Sequence, residues 1–279
     1  MIRDWLGSFE RQVLLAHVTG QSRAWLLSHA EVSLTPEQAA ALETAQKRFD
    51  EGIPLPYILG HWEFFGLDFI VTPEVLIPRP ETELLIETAL HWVRANPKPA
   101  YRFLDVGTGS GIIPVTLAVH VPRAELVATD ISPAALAVAR RNAEKHGVSE
   151  RITFIEADLL PNDERLTTNR KSVVDGSPLV VDLVTANLPY IPTETLKELE
   201  VFGKEPTLAL DGGPDGLDLI RRLLAGLTAK PAPSSCILLE IENRQGRAVS
   251  ALAREAFPAA EIQIKKDLAG HDRLVVIVT

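Results

Sequence analysis

An apolar strand that runs into a glycine loop and then into an apolar helix leaves few folds open to a chain. Here the strand is Phe103-Leu104-Asp105-Val106, the loop is Gly107-Thr108-Gly109-Ser110-Gly111, and the helical stretch is Ile112 to His120. A strand followed by a helix returns to the same sheet with its successor parallel, so helices come to cover both faces. The pattern continues with strands at Glu125 to Asp130, Ile152 to Ala157 and Leu179 to Val184, a helix from Gly216 to Leu227, a strand from Ser235 to Ile241 and a helix from Gly246 to Phe257. Two closing runs, Glu261 to Lys265 and Arg273 to Thr279, complete seven strands. The polar stretch Pro161 to Pro178 reads as an exposed loop with no chemistry assigned. No internal repeat is evident.

Glycines let the chain turn tightly and let a ligand touch backbone, and the helix that follows offers free N–H groups. The dinucleotide fingerprint G-x-G-x-x-G would put its third glycine on Ile112 or on Pro114, depending on the frame, which argues against a nicotinamide-dependent oxidoreductase. The spacing from Asp105 to Gly111 is D-x-G-x-G-x-G, and it resembles the first motif of S-adenosylmethionine-dependent methyltransferases of doubly wound fold. That resemblance implies cofactor contacts from Gly107, Thr108, Gly109, Ser110 and Gly111. About twenty residues further on, Asp130 ends the next strand, where a carboxylate can accept both ribose hydroxyl hydrogens. The competing role, capping the following helix, already has an occupant in Ser132-Pro133. Asp158 and Leu159 end the third strand, and in the family pattern they hold the adenine amine and the adenine face. Read without that pattern, Asp158 is a turn residue.

Asn187-Leu188-Pro189-Tyr190 follows the strand Leu179 to Val184 and sets an amide, a rigid turn and an aromatic ring at a strand end. The combination suits gripping a planar amino or amide group. Its plain alternative is a structural turn.

A length of 279 residues with 46% hydrophobic content supports one large domain and a small one. The net charge of −9 and the lack of a Lys/Arg cluster argue against stable binding of long nucleic acid and favour a protein or small-molecule substrate. Cys236 is the only cysteine and lies in an apolar run, so it reads as a core residue; no metal site suggests itself. The start Met1-Ile2-Arg3-Asp4-Trp5 carries charge where a signal peptide would be apolar, and no run reaches bilayer length, so a soluble cytoplasmic protein is expected. Residues 1–52 show helical spacing, with Thr35-Pro36-Glu37-Gln38 as a helix start, and read as a small helical bundle. Residues 53–80 read as a linker with a β-hairpin about Gly66, and 81–279 as the catalytic domain, entered by a helix from Glu83 to Arg94.

Three further segments carry a more specific resemblance: Pro56-Tyr57-Ile58-Leu59-Gly60, Val75-Leu76-Ile77-Pro78-Arg79-Pro80-Glu81-Thr82-Glu83, and Glu205-Pro206 with Ala209-Leu210 and Gly212 to Asp218. With them, nearly the whole chain is similar to the peptide chain release-factor glutamine methyltransferases. The resemblance implies a class I methyltransferase domain, a doubly wound seven-stranded Rossmann-like α/β sheet whose closing hairpin makes the seventh strand antiparallel, preceded by a helical domain and a connecting β-hairpin. It implies S-adenosylmethionine as cofactor, S-adenosylhomocysteine as product, and the Gly-Gly-Gln glutamine of class I release factors as acceptor. Asn187 and the Leu188 carbonyl would accept the two amide hydrogens while Pro189 stiffens the turn and Tyr190 packs on the amide plane, with Asn187 also bordering the cofactor. Two positions depart from the family. Leu188 replaces the usual proline, and Glu242 stands where a glycine is expected. The competing functions are an amino-methyltransferase of a nucleic-acid base, which presents the same planar group, a methyltransferase of a ribosomal-protein glutamine, and a weakened enzyme that only binds its partner.

Overall fold

The computed structural model describes residues 1–161, 181–227 and 231–279. The loop expected at Pro161 to Pro178 lies, from residue 162 onward, outside them. The chain divides into two compact units, Met1–Trp62 and Glu63–Thr279.

The first unit is helical because its capping residues punctuate its apolar periodicity. Helices α1 (Phe9–Thr19), α2 (Arg23–Ser28), α3 (Pro36–Asp50) and α4 (Leu55–Leu59) follow in order. Ser8, Ser22 and Thr35 each accept a backbone N–H at a helix start, and Thr35 with Gln38 forms a reciprocal capping box. Leu14, Leu15, Leu26 and Leu42 are fully buried where the helices meet. Leu27, on the other side of the short helix, is exposed.

A two-stranded hairpin, β1 (His61–Phe64) and β2 (Leu67–Ile70), follows. Phe65 and Gly66 both take left-handed backbone angles, as a tight two-residue turn requires. The elements after it are α5 (Glu83–Ala95), β3 (Tyr101–Val106), α6 (Ile112–His120), β4 (Ala124–Asp130), α7 (Pro133–Lys145), β5 (Ile152–Glu156), β6 (Val181–Ala186), α8 (Thr193–Glu198), α9 (Asp218–Leu227), β7 (Pro231–Glu240), α10 (Gly246–Ala256), β8 (Glu261–Lys266) and β9 (Asp272–Val278). Strand β7 begins earlier than its apolar run suggested, at Pro231, which pairs with Val181.

The seven strands lie in the order β5-β4-β3-β6-β7-β9-β8. All neighbours are parallel except that β9 runs antiparallel to β7 and β8. The pleat sends alternate side chains into two cores. Phe103, Leu183, Cys236 and Leu238 enter one, and Leu104, Val184, Ile237 and Leu239 the other, each under its own layer of helices. Strand order reverses between β4 and β6 about β3, so a crevice opens at the carboxyl ends of these strands. Val106 pairs with Thr129 on one side and with Ala186 on the other, which brings the glycine loop, Asp130 and Asn187 to that one edge.

Candidate active site

At this edge lies a cavity of about 520 Å³, within the range of small-molecule sites. Gly107, Thr108, Gly109, Ser110, Asp130, Asp158, Leu159, Asn187, Leu188 and Pro189 line it. Gly111 and Tyr190, singled out with them from the sequence, do not. Gly111 takes a left-handed conformation and sits where an added Cβ would lie 3.0 Å from the Ala139 Cβ, so its smallness serves the packing of the loop on α7. Tyr190 is turned toward Glu240, Arg273, Arg79 and Glu81, and burial pushes its phenol pKa up.

The glycine loop is fixed by backbone bonds. The N–H groups of Gly107 and Thr108 both donate to the Thr129 carbonyl at 2.9 Å. Asp130 then joins two segments, because one carboxylate oxygen accepts from Gly109 N–H and the other from Ser132 N–H, both at 2.8 Å. Burial raises its pKa while these backbone donors lower it. Each oxygen has a second lone pair for a ligand hydroxyl. Ser132 caps α7 by accepting from Ala135 N–H, with Pro133 at the first helical position. Leu159 holds a left-handed φ of 66°, costly for a bulky residue, and its carbonyl accepts the Thr129 hydroxyl at 2.7 Å. Asp158 is half exposed and pairs with Arg222 at 2.7 Å, so its carboxylate is already shared with a cation on the cavity wall.

The other wall depends on residues far away in sequence. The Asn187 amide Nδ2 donates to the Thr82 hydroxyl at 3.1 Å, which identifies Oδ1 as the atom left for another partner. Leu188 is buried, and its Cδ2 lies where a Cβ on Gly107 would approach to 2.8 Å. Replacement of the usual proline is therefore more than a backbone change, since the leucine side chain packs on the glycine loop and in the core beneath it. Gly212 N–H donates to the Ile191 carbonyl, and Ile191 N–H donates to the Leu210 carbonyl. The Gln245 side chain donates to the carbonyls of Tyr190, at 2.9 Å, and Gly216, at 3.3 Å. The Gly212 to Asp218 segment, a surface turn on its plain reading, thus braces the turn after Asn187. Glu242 needs no glycine-like angle; its carboxylate accepts from Arg244 N–H and Nε, and its own N–H donates to Gln245 Oε1.

Several of these supports are absent from the reading of the sequence. Thr82, Arg79 and Glu205 fall in segments whose roles that reading left open. Arg79 donates to Glu205 Oε1 at 2.5 Å and Ile77 N–H to Oε2 at 3.0 Å, so one buried carboxylate ties the two cavity-lining segments about Ile77 and Pro206 together. Asn142 gave a usable signal, a polar residue on the apolar stripe of Leu136, Ala139 and Ala143. Fully buried, it accepts from Ile70 N–H at 2.7 Å and donates to the carbonyls of Ile70 and Ser110. Among the described residues no group of three or more His, Cys, Asp or Glu could hold a metal ion, and no helix is long and apolar enough to cross a membrane.

Fold and cleft define a class I methyltransferase domain. A methyltransferase from Pyrococcus furiosus has the same fold, with a TM-score of 0.50 at 15% identity over 77% of this chain and 90% of that one. A family model described as a methyltransferase domain matches residues 97–209, and one described as the PrmC N-terminal domain matches residues 8–60. The release factor glutamine methyltransferase of Moorella thermoacetica is 44% identical over 95% of this chain and 88% of its own length. That of Bordetella pertussis is 39% identical over 96% and 94%. The chain belongs to the family of release factor glutamine methyltransferases.

Proposed function

We propose that the protein transfers a methyl group from S-adenosylmethionine to the side-chain amide nitrogen of the glutamine in the Gly-Gly-Gln loop of class I peptide chain release factors, and works in the cytoplasm on that protein substrate. The observation that carries this reading is the orientation of Asn187, whose Nδ2 is engaged by Thr82 at the wall of the cavity. Its Oδ1 and the Leu188 carbonyl are acceptors of the kind an amide NH2 group requires. An amide nitrogen is a poor nucleophile because its lone pair is delocalised into the carbonyl. The protein's task is therefore alignment, worth roughly 7–11 kcal/mol of barrier when reacting groups are held in register.

The residues at the other wall suit the cofactor. Asp130 would take the ribose hydroxyls, the glycine loop would lie along the amino-acid end, and Leu159 with Asp158 would border the adenine. When bound, the cofactor supplies an electrophilic methyl on a sulfonium. Asn187 and the Leu188 carbonyl hold the acceptor's two hydrogens, and Pro189 keeps the turn rigid. No strong base is needed if the proton departs after methyl transfer. The N-terminal bundle of residues 1–52 and the hairpin would each supply surface that receives the release factor. The test is peptide-level mass spectrometry of a class I release factor incubated with the protein and S-adenosylmethionine. One methyl on the Gly-Gly-Gln glutamine, missing from a glutamine-to-alanine factor, is the expected result; methylation elsewhere or none would overturn the assignment.

A further inference from the structure

Strand register sets Glu240 beside the amide that grips the acceptor. Ala186 pairs with Leu239 in the parallel ladder of β6 and β7, so Asn187 and Glu240 are the next residues at the two strand ends. Leu239 enters one core, and the pleat turns Glu240 to the opposite face, where Thr82 precedes α5. Glu240 and Thr82 are 2% and 0% exposed. Thr82 and Asn187 face the Glu240 carboxyl and favour its charged form, Asn187 Nδ2 donates to the Thr82 hydroxyl, and Glu240 Oε2 is buried with no partner.

A carboxylate only accepts hydrogen bonds. With Glu240 ionised, the Thr82 hydroxyl donates to it and must use a lone pair for Asn187, which therefore presents N–H. The chain of bonds has one direction, from amide to hydroxyl to carboxylate. A protonated Glu240 is itself a donor and no longer imposes that direction.

We propose that Glu240 is a positioning residue, holding the Asn187 amide through Thr82 with Nδ2 inward and Oδ1 toward the methyl acceptor. This rests on the assignment of Asn187 to the acceptor amide. The charged and titratable groups around the carboxyl are Glu81, Arg273 and Tyr190. Burial pushes the Glu240 carboxyl up to about 7, with Glu81 adding to the rise and Thr82, Arg273 and Asn187 opposing it. Ionisation is then gained as pH rises through neutrality, and turnover should rise with it.

Two readouts separate this inference from the choice of substrate. The first needs no acceptor: the side-chain amide resonances of Asn187, assigned by their loss in Asn187→Ala, are followed by NMR between about pH 6 and 8. They should titrate in the wild type and stay flat in Glu240→Gln. The second is methyl transfer. Glu240→Gln should lower kcat by about tenfold to a hundredfold and remove the acid limb, with cofactor Kd and release-factor KM within about twofold. If Glu240→Gln does not fold, Thr82→Val, which cuts the same chain of bonds with little change of volume, should reproduce the loss of kcat. Asn187 resonances that do not titrate in the wild type, or a Glu240→Gln enzyme with wild-type kcat and an unchanged pH profile, would overturn the proposal. A normal Asn187 titration without methylation of the release-factor glutamine would instead refute the substrate assignment alone.

Discussion

The two walls of the cavity are built in opposite ways. The glycine loop and Asp130 form a wall from residues close in sequence, held by backbone bonds to Thr129 and by the Asp130 carboxylate. The Asn187 turn owes its shape to Thr82, Gly212, Gly216 and Gln245, which reach it from three distant segments. A locally built wall tolerates change elsewhere in the chain, while a wall assembled from afar couples the proposed acceptor site to the whole domain.

The sharpest way to break that contrast is Asn187→Ala. It should cost roughly 10²–10³ in kcat, the range for removal of one preorganised polar contact, while cofactor affinity falls modestly. Single-turnover methyl transfer beside calorimetric cofactor binding checks this, and near-normal turnover would mean the two walls share the acceptor role.

Asp105 is the direct link between the walls, because the Thr185 hydroxyl, two residues before Asn187, donates to its Oδ1 at 2.6 Å. Burial raises its pKa from 3.8 to about 6, against the pull of Thr185 and Thr108. The folded state therefore holds a proton that the unfolded chain releases between those values, and stability falls as pH rises through that window. Asp105→Asn should be nearly neutral near pH 4 and should stabilise by roughly 3 kcal/mol above the folded pKa, read as a pH-dependent difference in Tm. A constant difference across pH would show that the carboxyl is not the titrating group.

Asn142→Ala removes three bonds that anchor the hairpin strand and the Ser110 carbonyl. It should destabilise by roughly 2–3 kcal/mol in urea unfolding and weaken the cofactor more than the acceptor. Equal weakening of both would mean that the glycine loop is less self-contained than its backbone bonds imply.

The smallest effect tests the seam between the walls. Gly107→Ala places a methyl against Leu188 at a φ of 73°, at a cost of roughly 1–3 kcal/mol. Adding Leu188→Ala relieves the contact and leaves the backbone strain, so the two changes should be non-additive when their Tm values are compared. Strict additivity would show that the contact carries no energy.

Legibility followed the same division. Phe103 to His120, the strand ending at Asp130, the Ser132-Pro133 cap and the Thr35-Gln38 box are local patterns, in which a few neighbouring residues decide the outcome. Asn187-Leu188-Pro189-Tyr190 was visible as a motif, but the sequence treated Leu188 as a lost proline, when the structure makes it a buried side chain on the glycine loop. Gly111 is singled out as a cofactor contact through its family resemblance, and its packing against Ala139 is a further constraint that only the fold supplies.

By itself, then, the sequence determined the order and type of the elements, the glycine loop and the carboxylate that follows it, and the family to which the chain is similar. Hydrophobic period, capping and turn chemistry act over a few residues and leave a direct trace in the letters. The tertiary structure alone decided that Thr82 and Glu240 stand behind Asn187, that Glu205 ties Arg79 to Ile77, and that Asn142 joins the hairpin to the loop. These bonds close long stretches of chain, and their partners are chosen by strand register and burial, which exist only once the sheet has formed.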